Sequence, residues 1–308
     1  MPCFHPLDAS RAFSARENKH VVRVRPKDVS KWKWLRDTGS TFMSLACGQC
    51  RGCRLERSRQ WAVRCVHEAS LYEDNCFITL TYDRDNLPAD LSLNKVHFQL
   101  FMKRLRRFFG DRRIRFYHCG EYGGETLRPH YHALLFNLDF DDKVVWKEER
   151  GNVYYRSECL EERWGHGMCL IGEVTFESAA YVARYIMKKV NGAKARDKYL
   201  RCDDDGVASF VSPEYTTMSR NTGIGRGWLD EFGAEVFPSD EVIVNGHSCP
   251  PPRYYTDVFS EFEPEMIQAV KAKRQVWFSA HDADCTPERL ADREICLEAR
   301  MGRLEREL

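Results

Sequence analysis

Four short apolar runs, each bounded by turn residues, restrict the middle of this chain to a sheet-based fold. Cys76-Phe-Ile-Thr-Leu-Thr-Tyr82 is β-branched and aromatic and reads as a buried strand. Ile114 to Cys119 and His130 to Leu138 are two more, joined through Gly120-Glu121-Tyr122-Gly123-Gly124 and Arg128-Pro129, and Met168 to Val174 is a fourth. Between the first two, Val96, Leu100, Phe101, Leu105, Phe108 and Phe109 fall on one helical face, with Ser92 as the expected cap and Gly110-Asp111 as the stop. Ser178 can start another helix, to about Val190. The order strand, helix, strand, strand, strand, helix predicts an α+β fold, a largely antiparallel sheet flanked by helices.

The flanks read differently. The first forty residues form a basic arm of poor periodicity that carries Trp32 and Trp34. Cys47-Gly-Gln-Cys50-Arg-Gly-Cys53 follows, and then a charged stretch whose apolar residues Leu55, Trp61, Ala62, Cys65, Ala69 and Tyr72 keep mostly helical spacing. Asp139 to Glu162 is an acidic excursion, and Asn191 to Pro252 is loop-rich. Two charged helices close the chain at about Glu263–Ser279 and Pro287–Glu307, the second opened by Thr286-Pro287-Glu288 in the order cap, first-turn proline, early acid. The expected divisions are 1–69, a basic arm with a Cys-rich segment; 70–192, the α+β core; and 193–308, a loop-rich region with a helical tail.

Composition adds an asymmetry. The net charge is only +1, yet residues 1–130 hold 24 Lys and Arg against 14 Asp and Glu, leaving 23 against 32 for the remainder. A basic half suits a polyanionic partner, and an acidic half suits a solvated or regulatory one. No apolar run approaches the ~18 residues of a membrane span. The opening MPCFHPLD lacks the cationic start and apolar block of a secretory signal. Membrane and classical secreted proteins are therefore disfavoured. The 13 cysteines, mostly scattered, suit a reducing compartment better than a disulfide framework.

Chemistry concentrates in Pro129-His130-Tyr131-His132. In a strand His130 and His132 face the same way, a natural claw for a divalent metal, although two structural histidines at a strand end would look the same. Glu121 lies nine residues earlier and could complete a site of two imidazoles and a carboxylate; it could equally be a solvated loop acid. Tyr181 and Tyr185 stack on one helix face with Lys188 and Lys189 a turn beyond, a stripe that more often belongs to a core.

Cys47, Cys50 and Cys53, with Cys65 and Cys3 as further ligands and His5 and His67 in reserve, are dense enough for structural zinc, against the alternative of reduced thiols at a helix start. Two basic clusters stand out. Arg51, Arg54, Arg57, Arg59 and Arg64 surround the cysteines; Lys103, Arg104, Arg106, Arg107, Arg112, Arg113 and Arg115 surround a helix end with only Asp111 among them, which favours a phosphate track. Trp32, Trp34 and Trp61 could stack on unpaired bases or belong to the core. Gly223-Ile-Gly225-Arg-Gly227 lacks the residues of a P-loop and reads as a turn.

Taken in order, the 77–82 strand, the HYH strand and the later tyrosine-bearing helix resemble the three motifs of HUH-type replication initiators. CGQCRGCRLERSRQWAVR, GEYG, RPHYHALLF and SRNTGIG further resemble the initiators of gokushovirus-type microviruses, small single-stranded DNA phages, over about residues 1–230. The resemblance implies an HUH endonuclease core that nicks and rejoins single-stranded or extruded origin DNA with Mg2+ or Mn2+, through a 5′-phosphotyrosine link that leaves a 3′-hydroxyl primer. His130, His132 and Glu121 would be metal ligands, Tyr181 and Tyr185 nucleophiles, and Lys188 or Lys189 the accessory cation. Implied partners are the host polymerase and, since no helicase motif is visible, a host helicase, all in the bacterial cytoplasm. Three rivals remain at this point: another HUH enzyme (plasmid initiator, relaxase or transposase), a hydrolase that uses water, and a non-catalytic zinc-containing DNA-binding protein.

Overall fold

The computed structural model describes residues 3–14, 16–24, 41–124, 126–149, 151–184, 194–202 and 208–304. Tyr185, Lys188, Lys189, Trp32 and Trp34 lie outside them. The chain forms two compact units, Met1–Glu56 with Lys273–Leu308, and Arg57–Ala272.

In the first unit, β1 (Leu7–Ser14), β2 (Lys19–Val24) and β3 (Thr41–Leu45) form an antiparallel sheet in the order β2-β1-β3. Sequence reading missed these strands because nearly every position on them is exposed or half-exposed, so no apolar alternation marks them. Helix α1 (Arg51–Ala69) starts at the cysteine group.

The second unit holds β4 (Asn75–Leu80), α2 (Lys95–Phe108), β5 (Arg115–Tyr122), β6 (Pro129–Phe136), β7 (Val144–Glu149), β8 (Asn152–Arg156), α3 (Glu158–Trp164), β9 (Cys169–Gly172) and α4 (Phe176–Arg184). Then come α5 (Lys194–Tyr199), β10 (Leu200–Cys202), β11 (Ala208–Phe210), β12 (Tyr215–Met218), α6 (Arg226–Ser239), β13 (Val242–Val244), β14 (His247–Cys249), α7 (Arg253–Phe259) and α8 (Pro264–Ala280); α9 (Pro287–Leu304) follows in the first unit. Among the described residues, seven strands make one antiparallel sheet in the order β12-β5-β6-β4-β9-β8-β7, so the fold is α+β with helices on both faces.

The strands alternate as a sheet buried on both sides must. One face sends Ile78, Leu80, Tyr131, Ala133 and Leu135 against Phe98, Phe101 and Leu105 of α2 and Trp164 of α3. The other sends Tyr117, Cys119, Leu134 and Phe136 against Ala62 and Cys65 of α1 and Ala179, Val182 and Ala183 of α4. At ~25 cal/mol per Å2 of apolar surface, burial in these two layers holds the sheet between its helices.

Two local expectations need correction. Asn94, not Ser92, caps α2, its side chain accepting from the Val96 amide at 2.9 Å; the Ser92 hydroxyl instead accepts from the Ser212 amide at 2.9 Å. The acidic excursion contains the β7–β8 hairpin and α3; β7 is exposed along its whole length and carries no apolar rhythm. The glycine run is a turn as read. Gly225, at φ +75°, caps α6, and its amide donates to the buried Glu68 at 2.6 Å. A side chain there would be strained and would meet the Tyr255 ring. No described helix is long and apolar enough to cross a membrane.

Candidate active site

The β5–β6 hairpin sets the site by register. Glu121 pairs directly with His130, Cys119 pairs with His132, and on the other side of β6 Thr79 of β4 pairs with His132. Directly opposed residues point to the same face, so Thr79, Glu121, His130 and His132 converge on the α1/α4 side of the sheet. The ligand atoms of Glu121, His130 and His132 all lie within 4.8 Å of one another. Glu121 and His132 are buried, and His130 is half-buried at the rim.

Hydrogen bonds fix the rings. His130 Nδ1–H donates to the Arg128 carbonyl at 3.2 Å, and the Arg128 guanidinium donates to the Tyr82 carbonyl at 2.8 Å, which anchors the hairpin turn. His132 Nδ1 faces the Thr79 hydroxyl at 3.0 Å. Both Nε2 atoms are thereby aimed at one carboxylate oxygen, Glu121 Oε1, at 2.6 Å from His130 and 3.2 Å from His132. A neutral imidazole that donates through Nδ1 has only a lone pair at Nε2. Two lone pairs and a carboxylate oxygen cannot face one another without a proton or a cation between them. Burial alone would raise the Glu121 pKa, but hydrogen bonds and charge from His130 and His132 outweigh it and bring the carboxyl down to about 2. This donor set, two imidazoles and a carboxylate, could hold one divalent metal ion.

Helix α4 brings the fourth group. Thr175 and Ser178 open the helix reciprocally: Thr175 Oγ1 accepts from the Ser178 amide at 3.2 Å, and Ser178 Oγ accepts from the Thr175 amide at 2.8 Å. Ala179, Val182 and Ala183 then pack on the sheet, and the Ser58 hydroxyl donates to the Ala180 carbonyl at 3.1 Å. That docking leaves Tyr181 40% exposed, with its ring edge-on to His132 at 5.2 Å and to Phe77 at 6.3 Å. Phe77 lies nearly parallel to the His132 ring, centroids 5.6 Å apart, so the three rings contact one another. Sequence reading missed Thr79, Phe77 and Arg128 as neighbours of the histidines. The alternation in Phe77-Ile-Thr79 was visible, but that β4 pairs with β6 was not.

The other candidates separate. The sulfur atoms of Cys3, Cys47, Cys50 and Cys53 lie within 4.8 Å of one another, whereas Cys65 is fully buried in the α1/α4 layer, outside that group. Burial raises the Cys3 and Cys53 thiols; for Cys50, burial is outweighed by amide hydrogen bonds from Cys53 and Phe4, which bring it down to about 6. Arg51, Arg57, Lys103, Arg104, Arg106, Arg107 and Arg113 are exposed, and Arg54 is half-exposed. Arg104 donates to the Arg163 and Trp164 carbonyls at 2.7 and 2.8 Å, and Arg113 to the Asn221 carbonyl at 2.9 Å.

Two arginines of the basic clusters face inward. Arg115 forms a buried ion pair with Glu68 at 2.5 Å and donates to the Thr222 carbonyl at 2.9 Å, which takes it off any surface track. Arg64 is held between the Trp61 and Tyr254 rings at 4.0 and 3.8 Å. Trp61 itself stacks on Tyr117 at 4.9 Å. Spacing in the sequence could not reveal partners so far away along the chain.

Comparison with known proteins points one way. Residues 75–190 match the family model of the replication-associated protein ORF2/G2P. The replication-associated protein VP4 of Bdellovibrio phage phiMH2K is 37% identical over 239 residues, 75% of this chain and 72% of that protein. ORF2 of Spiroplasma virus 4 is 34% identical over 257 residues, 80% and 75% of the two chains. ORF4 of Chlamydia phage 1 is 30% identical over 244 residues, 74% of this chain and 58% of that one. No solved structure matches.

Proposed function

This chain belongs to the phage replication-associated proteins, replication initiators of microvirus type, and on that premise we propose that it starts rolling-circle replication as an HUH nickase and ligase of origin single-stranded DNA. The observation that carries the reading is the phenol of Tyr181 beside a buried carboxylate and two imidazoles, all on one face of the sheet. The proposed endonuclease core, residues 70–192, lies inside the second unit.

The chemistry asked of these residues is conservative of energy. The phenol oxygen of Tyr181 or Tyr185 attacks the scissile phosphorus. The bond from phosphorus to the 3′ oxygen breaks, its electron pair stays on that oxygen, and a proton turns it into the 3′-hydroxyl that primes the host polymerase. The 5′ end remains as a phosphotyrosine ester. Rejoining is the reverse: a 3′-hydroxyl attacks the ester and expels the tyrosine, so no bond energy is lost to water. A phenol with a pKa of about 10 needs help to ionise, and Lys188 or Lys189 is assigned that part.

Glu121, His130 and His132 would hold Mg2+ or Mn2+, which when bound polarises the scissile phosphate and offsets its developing charge. Thr79 and the Arg128 carbonyl keep the imidazoles turned inward. Phe77 and Tyr181 pack against the His132 ring. Arg51, Arg54, Arg57, Lys103, Arg104, Arg106, Arg107 and Arg113 are the proposed contacts to DNA phosphates, and a host helicase in the bacterial cytoplasm separates the strands.

The test is cleavage of labelled origin oligonucleotides in Mn2+ by the wild type and by His130→Ala. The reading expects specific cleavage by the wild type and loss of at least ~10²-fold in the variant, with DNA binding kept. Equal cleavage by both proteins would remove the metal-ligand assignment. Binding without cleavage by wild-type protein, with metal bound, would favour a DNA-binding protein that has no catalytic role.

A further inference from the structure

The cysteine group has no part in nicking, and its surroundings raise the question of what holds the first unit together. Among the described residues, the buried members of the three hydrophobic clusters lie between Ala62 and Ile267, all in the second unit. Among the described residues of the first unit, only Phe4, Ala9, Cys50 and Leu290 are buried apolar side chains. For a three-stranded sheet, the start of α1, the end of α8 and the whole of α9, the apolar burial among the described residues is small, and small units with little core commonly carry a staple.

From this geometry we propose that Cys3, Cys47, Cys50 and Cys53 bind one structural zinc ion. The four thiols are free of disulfides, and their sulfur atoms lie within 4.8 Å of one another. The Cys3 and Cys50 sulfurs are 3.9 Å apart. With Zn–S bonds of about 2.3 Å, a tetrahedron has edges of about 3.8 Å, so these two sulfurs already stand at ligand separation.

The backbone is arranged for sulfur that carries negative charge. The Cys47 amide donates to Cys3 Sγ at 3.2 Å, and the Gln49 and Cys50 amides donate to Cys47 Sγ at 3.4 and 3.3 Å. The Phe4 and Cys53 amides donate to Cys50 Sγ at 3.4 and 3.5 Å. A neutral thiol is a weak acceptor, so five amides turned toward three sulfurs suit thiolates. Gly48, at φ +72°, makes the turn that aims the amides of Gln49 and Cys50 at Cys47. Four thiolates this close repel unless a cation lies between them, and soft sulfur ligands suit zinc.

The placement tells what the ion does. Cys3 precedes β1, Cys47 follows β3, and Cys50 and Cys53 flank the start of α1. One ion therefore ties the start of β1 and the end of β3, which pair at Leu7 and Leu45, to the first turn of the helix. Four protein ligands leave no open position, so the site is structural and distinct in kind from the open donor set on β5 and β6. Each ligating thiol gives its proton to solvent on binding, and no oxidant or reductant is involved.

The test uses the full chain purified under reducing conditions. Elemental analysis should give one zinc per chain, and titration with a thiol-blocking mercurial should release it in step with four thiols. Growth with cobalt should give the visible absorption of a tetrahedral tetrathiolate. Cys47→Ser and Cys50→Ser should lose zinc, whereas Cys296→Ser, an exposed thiol, and the double variant His130→Ala/His132→Ala should retain it. If the cysteine variants do not fold, the mercurial and cobalt measurements on wild-type protein still decide. Less than ~0.1 zinc per chain in wild-type protein, iron in its place, a mass lower by the hydrogens of two disulfides, or zinc lost only from the histidine variant would each overturn the proposal.

Discussion

Thr79→Val removes one hydroxyl and adds one methyl, and it separates a positioning role from a packing one. Thr79 Oγ1 lies 3.0 Å from His132 Nδ1, directly across the β4–β6 pair. The hydroxyl can accept the Nδ1 proton and so leave the lone pair on Nε2, and valine cannot. Loss of such an outer partner typically costs 10–100-fold in metal affinity. Here the ring still packs against Phe77 at 5.6 Å and Tyr181 at 5.2 Å, which limits how far it can turn. The lower part of that range applies, about 10–30-fold, or ~1.4–2 kcal/mol. The assay is origin cleavage against Mn2+ concentration. The half-maximal concentration should rise by that factor while the rate at saturating Mn2+ and the DNA affinity stay near wild type; Thr79→Ser should restore the original curve. A Thr79→Val curve that overlays the wild type would refute the assignment of Thr79 as the group that orients His132.

Three other outcomes follow from the same coordinates. Glu68→Ala should destabilise the protein by ~3–5 kcal/mol in urea unfolding, because it leaves the buried Arg115 charge without its partner; the double replacement Glu68→Met/Arg115→Met should cost less, and equal losses would contradict a specific pairing. His67 is buried, faces the Tyr255 hydroxyl at 3.0 Å and is brought down to about 4 by burial from an ordinary 6.5. The unfolded chain therefore takes up the proton first. Stability should fall as pH drops from about 6.5 to about 4, on the order of 1 kcal/mol per unit, and level off below; if His67→Gln keeps the same slope, another group is responsible. Replacing the exposed Lys103 and Arg107 by Ala should reduce the salt slope of single-stranded DNA binding by ~1.4 if both touch phosphate, and an unchanged slope would move the DNA track elsewhere.

Much of the site could be read in the sequence because it follows from local rules. His130 and His132 share a face by the two-residue period of a strand, and a short connection between two strands brings Glu121 opposite His130. What escaped was long-range. Strand β4 comes before β5 in the chain yet lies beyond β6 in the sheet, so Phe77 and Thr79 could not be assigned to the histidines. Arg115 belongs to a run of cations, but Glu68, 47 residues earlier, turns it inward. Strands β1, β2 and β7 are so exposed that hydrophobic rhythm, the signal on which strand recognition depends, is missing. The Ser92 cap failed for a related reason: two capping side chains stood close together, and Ser92 was already engaged with Ser212.

If a tyrosine beside the histidine pair takes the DNA end, as proposed, covalent capture will trap that bond. Labelled origin oligonucleotides are incubated with the full chain and Mn2+, resolved under denaturing conditions, and the adduct is digested for mass spectrometry. The expected result is a species at the mass of protein plus DNA, with the label on the peptide carrying Tyr181 or Tyr185, and its loss from Tyr181→Phe/Tyr185→Phe with DNA binding retained. Cleavage without an adduct, or an adduct that survives the double variant, would contradict it.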